Sequence, residues 1–319
     1  MSAHARYAAH TARACGFSFR SLDRADGYLF EVRDGARRGL FAGGAGTPYA
    51  LNDARAAAIA RDKAFCAQAL AAAGVPVLPG RMFFATERWA EMRAPGREPE
   101  DALAFAAGAE YPLFCKPLAA SNGRFAEVIC DAAAFADYLA RVGREHFAFL
   151  AQPFVRGVEY RVFMLDGVAL FSYRKRLPQL VGDGRSTVAE LAARLPHDGD
   201  GAPLRARGRD GALAASGARP ALGEVLVLEG PANRAAGGES ADLRDGAPSA
   251  LEALGAAAAA ALPLRLAAVD VFDLSAAGDL SQLSVIEVNS NPMIATLEDH
   301  GRWDLIEAVW RANFAAALR

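Results

Sequence analysis

Residues 285–292 read VIEVNSNP, and the fold turns on what the polar positions in this apolar run are for. Side chains alternate along a strand, so Glu287 and Asn289 share one face while Val285, Ile286 and Val288 supply β-propensity around them. Asn291 and Pro292 then break the strand. One account is an edge strand with a solvated polar face and an Asn-Pro turn. The other is a strand whose end presents two hard oxygen donors, one of them charged, to a ligand. Upstream, LAAVDVFD at 266–273 carries Asp270 in a strand that otherwise reads as core. A lone buried carboxylate is costly unless it is paired or bound to a cation. If the runs 266–273 and 283–289 pair as a hairpin, Asp270, Glu287 and Asn289 converge on one pocket. That set suits Mg²⁺ held by few protein ligands and by phosphate oxygens. Two unrelated polar faces are the alternative.

Two lysines stand out by position. Lys63 opens a helix just after its cap Asp62, where an acid would suit the helix dipole better. Lys116 lies inside the apolar strand YPLFCKPL at 111–118, so it must snorkel to water or meet an anion. The loop AASNGR at 119–124 is built of small residues that let backbone N–H groups approach phosphate oxygens. No GxxxxGK[ST] and no GxSxG occurs, which excludes a P-loop and a serine nucleophile elbow at the level of motif. The stretch EYRVFMLDGVALFSYRK reads as a hairpin turned at Asp166-Gly167, with Arg161 on one arm and Arg174-Lys175-Arg176 on the other. Their charge either faces the same anion or forms a surface basic patch.

The bulk properties narrow the classes. At 319 residues, with 53% hydrophobic and 23% charged composition, the chain can build two or three cored domains. A net charge of −2 argues against a general nucleic-acid binder, which needs a basic footprint. The opening MSAHARYAAHTARACGF lacks the apolar core of a signal peptide, and no run reaches the length of a membrane span. A cytoplasmic protein that engages neither membrane nor nucleic acid is expected. Cys15, Cys66, Cys115 and Cys130 are widely spaced, with no CxxC, and read as small buried thiols rather than disulfides.

Along the chain, strands at 28–32 and 38–41 suggest a small leading module. Asn52 is a candidate cap for one helix, and Asp62 for another that stops at Gly74 and Pro76. A strand at 81–84, a helix near 99–109, strands at 111–118 and 126–130 and a helix capped by Asp131 form a first lobe. The strand FAFLAQPFV, the long hairpin, a helix with a Thr187/Glu190 capping box, a strand at 224–230, a helix at 248–261 and the two acidic strands form a second. Residues 196–220 lack periodicity and read as a surface excursion, a candidate lid or specificity loop. A final amphipathic helix runs from 304 to 318.

In this order the motifs resemble those of the ATP-grasp superfamily of carboxylate–amine ligases, and most of all the ATP-grasp modules of cyanophycin synthetase and bifunctional glutathione synthetase. The likeness covers about Ala50 to Pro292. It rests on RDKAFCAQALAAAGVPV, YPLFCKPLAASNGR, LAQPFVRGVEYRV, LVGDGRSTVAEL, ANRAAGGESAD, AAVDVF and VIEVNSNP. It implies an α+β ATP-grasp fold, two α+β lobes clasping ATP, with a small module at 1–62, an N-lobe at 63–150 and a C-lobe at 151–319. It also implies that Lys63 and Lys116 contact ATP phosphates and that Ser121, Asn122 and Gly123 belong to the phosphate-covering loop. Gln152, Pro153, Phe154 and Val155 would line the adenine and Glu159 would receive the ribose. Asp270, Glu287 and Asn289 would hold two Mg²⁺ ions, with Mn²⁺ as a substitute. Arg161, Arg176 and Asn233 would face the reaction centre. Phe125 replaces a glycine usual in the relatives, and Gln152-Pro153 replaces an acidic pair, leaving Pro153 without an N–H to donate.

The function this resemblance implies is ATP-dependent ligation of a small-molecule carboxylate and an amine through an acyl phosphate, by a free-standing homodimer or homotetramer. The alternative is an ATP-grasp kinase acting on a hydroxyl, and behind it a silent nucleotide-binding module. Arg161, Arg176 and Arg234 point to an acidic or amino-acid-like carboxylate.

Overall fold

A computed structural model of the protein describes residues 1–44, 46–120, 123–195, 204–232, 234 and 237–318. The chain opens with helix α1 (Ala3–Ala14), then strands β1 (Ser18–Ser21), β2 (Leu29–Asp34) and β3 (Arg37–Ala42) in a small antiparallel sheet. Helices α2 (Ala54–Arg61) and α3 (Lys63–Ala72) follow. Asp62 caps α3, accepting from the N–H groups of Ala64 and Phe65. Gly74, at φ +75°, turns the chain out of that helix.

Asn52 does not cap α2; Asp53 does, through the N–H groups of Arg55 and Ala56. The Asn52 side chain instead donates to the carbonyls of Leu266 and Ser290 and accepts from the N–H groups of Arg265 and Leu266. It ties the start of the chain to two strands that lie more than 200 residues away in sequence. Helix α1 is not among the elements the sequence suggests, because its Ala-rich run, broken by Arg and His, carries no clear apolar stripe. Tyr7 and Ala8 of α1 are fully buried.

The first lobe holds β4 (Arg81–Phe84), α4 (Pro99–Ala107), β5 (Leu113–Pro117), β6 (Glu127–Ile129), α5 (Ala132–Val142) and β7 (Ala148–Pro153), with strand order β4-β7-β5-β6. Alternation along β5 sends Leu113 and Cys115 into a core shared with Phe83, Phe135, Tyr138 and Phe149. Phe114 and Lys116 face the other way.

The second lobe begins with the hairpin β8 (Val158–Leu165) and β9 (Val168–Arg176), turned by Asp166 and Gly167, both at positive φ. Next come β10 (Gln179–Val181), α6 (Val188–Ala192), β11 (Ala206–Arg207), β12 (Leu213–Ala214) and β13 (Val225–Leu228). The chain ends with β14 (Glu239–Asp245), α7 (Ser249–Ala261), β15 (Leu266–Asp273), β16 (Leu283–Asn289), α8 (Ala295–Asp299) and α9 (Trp303–Ala317). The main sheet runs β14-β9-β8-β15-β16, and a second sheet runs β10-β13-β11-β12. The excursion expected at 196–220 is therefore structured from 204 onward, with β11 and β12 paired as a hairpin; 196–203 lie outside the described residues. Strands this short carry too little periodicity to be read from sequence. The same holds for α8, while β14 is hidden by its polar composition.

One face of the main sheet changes character along its strands. Leu266 and Ala268 of β15, Phe163 of β8 and Phe171 of β9 pack with Trp310 and Phe314 of α9 and with α1. Further along the same face stand Asp270, Arg161, Glu159 and Lys175, and these are free of the helices. The opposite face, with Val162, Val269 and Val285, packs on α2, α3 and α7. Residues of α1, β2 and β3 share a core with α9 and the main sheet, while α3 packs on the main sheet through Cys66 and Leu70 and on the first lobe through Ala64. Cys66 and Cys115 are buried, but Cys130 is exposed and Cys15 half-buried, contrary to the reading of all four as buried. Among the described residues no helix is long and apolar enough to cross a membrane.

Candidate active site

A cleft of about 820 Å³ separates the two lobes. Its lining includes Lys63, Lys116, Gly123, Gln152, Pro153, Phe154, Val155, Glu159, Arg161, Arg176, Asp270, Glu287 and Asn289. Every sequence-nominated residue that is described thus meets in one place. Ser121, Asn122 and Asn233 lie outside the described residues.

The floor is the charged end of the main sheet. The strands 266–273 and 283–289 pair antiparallel with Asp270 opposite Glu287, so the hairpin that the acidic pattern required is present. Asp270 also sits opposite Arg161, and Glu159 opposite Lys175. Asp270 accepts from Arg161 Nε at 2.7 Å and Nη2 at 2.6 Å, and from Lys175 Nζ at 2.8 Å. Lys175 also donates to Glu159. Burial alone would raise the Asp270 carboxyl, but Arg161 and Lys175 hold it well below the usual carboxylate range. Burial does raise Glu159, against the pull of Lys175. Glu287 is depressed despite its burial, chiefly by Lys63 and Lys116. Its carboxylate accepts from Asn289 Nδ2 at 3.1 Å and lies 3.8 Å from Lys63 Nζ.

The roof comes from the first lobe. Lys63 Nζ, at the start of α3, donates to the carbonyl of Ala120 in the small-residue loop at 3.0 Å. Lys116 is 5% exposed, and no described carboxylate lies within 4.0 Å of its ammonium. Desolvation lowers its pKa, with Glu287 opposing. Phe125, next to the loop, sits at φ +53° with 3% exposure, packed in the lobe core. Phe125 is an aromatic anchor beside the loop. Its carbonyl accepts from the Tyr138 hydroxyl at 3.0 Å.

One end of the cleft is apolar, lined by Leu78, Phe114, Val155, Phe272 and Ile286. Residues 76–78 run parallel to β16 there, Val285 N–H donating to the Pro76 carbonyl at 2.8 Å. The Gln152 carboxamide donates to the carbonyls of Leu78 and Pro79, so it braces this wall. The Phe154 N–H is engaged with the Pro112 carbonyl at 3.0 Å.

The sequence singled out Arg176, which is exposed at the rim, over Lys175. The structure buries Lys175 to 6% side-chain exposure between two carboxylates. Strand parity held the signal: positions 159, 161 and 270 share a face, and opposite Glu159 on β9 stands 175, not 176.

Among the described residues no group of three or more His, Cys, Asp or Glu side chains is placed to hold a metal ion. Two carboxylates and a carboxamide on adjacent strands still fit Mg²⁺, which takes few protein oxygens and completes its shell with phosphate oxygens and water. The apolar slot, the buried Lys116 with no carboxylate within 4.0 Å among the described residues, and the loop of small residues fit a nucleoside triphosphate.

Two α+β lobes that close on such a cleft make this the ATP-grasp fold. Over 98% of the chain it superposes on 44% of a bifunctional glutathione synthetase from Pasteurella multocida, with a TM-score of 0.52 and 21% identity. In sequence the chain is similar to the glutathione biosynthesis bifunctional protein of Mannheimia succiniciproducens, 31% identical over an alignment of 214 positions that covers 58% of this chain and 28% of that protein. It is also similar to cyanophycin synthetase of Nostoc sp., 26% identical over an alignment of 258 positions that covers 73% of this chain and 26% of that protein. The chain thus spans little more than a quarter of the length of these two sequence relatives. No model of a known protein family matches it.

Proposed function

We propose that the protein is an ATP-dependent carboxylate–amine ligase that forms an amide bond through an acyl phosphate. The observation that carries this reading is Lys116, a buried ammonium with no described carboxylate in reach, facing across one cleft the acidic strands that carry Asp270 and Glu287. A lysine is seldom buried without a partner, so its position calls for a multivalent anion. The two kinds of relative bear names of biosynthetic ligases, which supports ligation over phosphorylation of a hydroxyl.

In the first step a carboxylate oxygen bonds to the γ-phosphorus of ATP as the bond to the β-phosphate oxygen breaks. In the second an amine nitrogen bonds to the acyl carbon, phosphate leaves, and the amine proton passes to solvent. Phosphoryl transfer asks for positioning and charge neutralisation more than for covalent help. In this reading Lys63, Lys116 and the backbone around Gly123 hold the phosphates. Leu78, Phe114 and the segment 152–155 enclose the base, and Glu159 takes the ribose. Arg161, Lys175 and Arg176 face the transferred group, with Asn233 beside it. Asp270, Glu287 and Asn289 would hold Mg²⁺, which supplies further neutralisation of the phosphates. Substrates are a small acidic or amino-acid-like carboxylate and an amine. Action in the cytoplasm as a homodimer or homotetramer completes the reading.

The test is ATP-dependent phosphate release with pairs of amino acids, followed by mass spectrometry of the product. An amide and free phosphate are expected. Phosphate retained on the product would mean a kinase, and failure of Mg-ATP to raise the melting temperature would mean that the cleft is no ATP site.

A further inference from the structure

The sheet β10-β13-β11-β12 has a core of its own, built on Leu180, Val188, Leu191, Ala206 and Leu226. It joins the main sheet in sequence through residues 177–178 and 229–238. At one of these junctions Glu229 gathers three guanidinium groups: Arg207 Nε at 2.7 Å, Arg156 Nη2 at 2.8 Å and Arg205 Nε at 2.9 Å. Arg205 and Arg207 belong to the small sheet's own hairpin. Arg156 belongs to the loop that follows Val155 at the apolar end of the cleft. Arg205 also reaches Cys130 Sγ, at the end of β6 in the other lobe, at 2.9 Å. The Glu229 side chain is 5% exposed, and Glu229, Arg156 and Arg207 all line the cleft.

We propose that Glu229 is a positioning residue that seats this sheet as a lid over the cleft and aims Arg207 into it. The inference rests on the reading of the cleft as the ATP site. Single exposed ion pairs hold little, but here one buried acceptor serves donors from the lid and from the loop beside the base-binding wall. The sign of its removal follows from charge. Without Glu229, three guanidinium groups converge with no anion between them and repel, so the lid is pushed from its seat rather than merely released. Arg156→Ala is milder, because Arg205 and Arg207 keep Glu229 and only the tie to the cleft wall is lost.

The experiment uses the full chain and two readouts: hydrogen exchange of residues 204–228, and the dissociation rate of a fluorescent ATP analogue with Mg²⁺. Glu229→Gln is expected to speed both at least tenfold, and Arg156→Ala to speed both about threefold. Unchanged exchange in Arg156→Ala overturns the proposal, since the lid is then not seated through the loop. Faster exchange in Glu229→Gln with unchanged dissociation in both variants also overturns it, because Glu229 then only staples the hairpin. If the wild-type protein fails to bind the analogue, the ATP reading falls, while the exchange of Arg156→Ala still decides the seating.

Discussion

Asp270→Asn separates two jobs that the site assigns to one carboxylate. The side chain is 1% exposed and accepts from two nitrogens of Arg161 and from Lys175. An asparagine keeps the shape but loses the charge, and its amide nitrogen is set against donors. Removing one partner of a buried ion pair costs about 3–5 kcal/mol. A chain of this length has an unfolding entropy of about 0.7 kcal/mol per kelvin, so the melting temperature should fall by about 4–7 °C. The same change weakens a preorganised electrostatic contact and should slow phosphate release by about 10²- to 10³-fold. Glu287→Gln is the control. Its nearest cation, Lys63, is 3.8 Å away, so a similar loss of rate should come with a smaller thermal shift. Differential scanning fluorimetry and a coupled phosphate assay on the same preparations give both numbers. An Asp270→Asn protein that melts with the wild type, or that releases phosphate at a near-normal rate, would refute the reasoning.

Lys116 has its pKa lowered by burial, so it loses its charge at lower pH than an ordinary lysine. ATP affinity should therefore fall as pH rises through that depressed value toward 10.5, and Lys116→Arg should flatten the profile; equilibrium binding from pH 7 to 10 measures it. Phe125→Ala should destabilise the first lobe by about 3 kcal/mol, because the burial of a phenyl ring is lost while the alanine Cβ leaves the positive φ as costly as before; denaturant unfolding reports it. Asn52→Ala strands two carbonyls and two N–H groups and should cost about 3 kcal/mol in the same assay, with a larger effect than Asp53→Ala at the neighbouring cap.

What could be read from the sequence was what alternates with a short period or violates a local rule. Asp270, Glu287 and Lys116 are charges in apolar strands, and each anomaly led to the cleft. The Asp62 and Asp131 caps and the Asp166-Gly167 turn have local causes and appear where their chemistry puts them. Asn52 misled because its residue type suits a cap, while its real partners, Leu266 and Ser290, are fixed by tertiary packing. Lys175 and Arg176 could not be told apart by type. Only the register with β8 shows which of them is buried between the carboxylates, Lys175, and which lines the rim, Arg176. The Glu229 cluster was invisible for a similar reason, since its four members come from three separate stretches of chain.

The charge balance among the described residues also bears on how metal enters. Around the floor and roof stand Lys63, Lys116, Arg161 and Lys175 against Glu159, Asp270 and Glu287, so cations exceed carboxylates before any ligand arrives. Both oxygens of Asp270 are already engaged. A free divalent cation would have to displace Arg161 or Lys175 into a pocket that gains positive charge by the exchange, which is unfavourable at low dielectric. A triphosphate reverses the sign: its oxygens draw the lysines and arginines away from the carboxylates and leave them free to bind metal. Mg²⁺ alone at millimolar concentration should therefore leave the melting temperature unchanged. Mg-ATP at about 100 times its dissociation constant should add about 2.7 kcal/mol, or about 4 °C. Stabilisation by Mg²⁺ alone of comparable size would show that the carboxylates form a metal site without the nucleotide, and the exchange of partners argued here would be wrong.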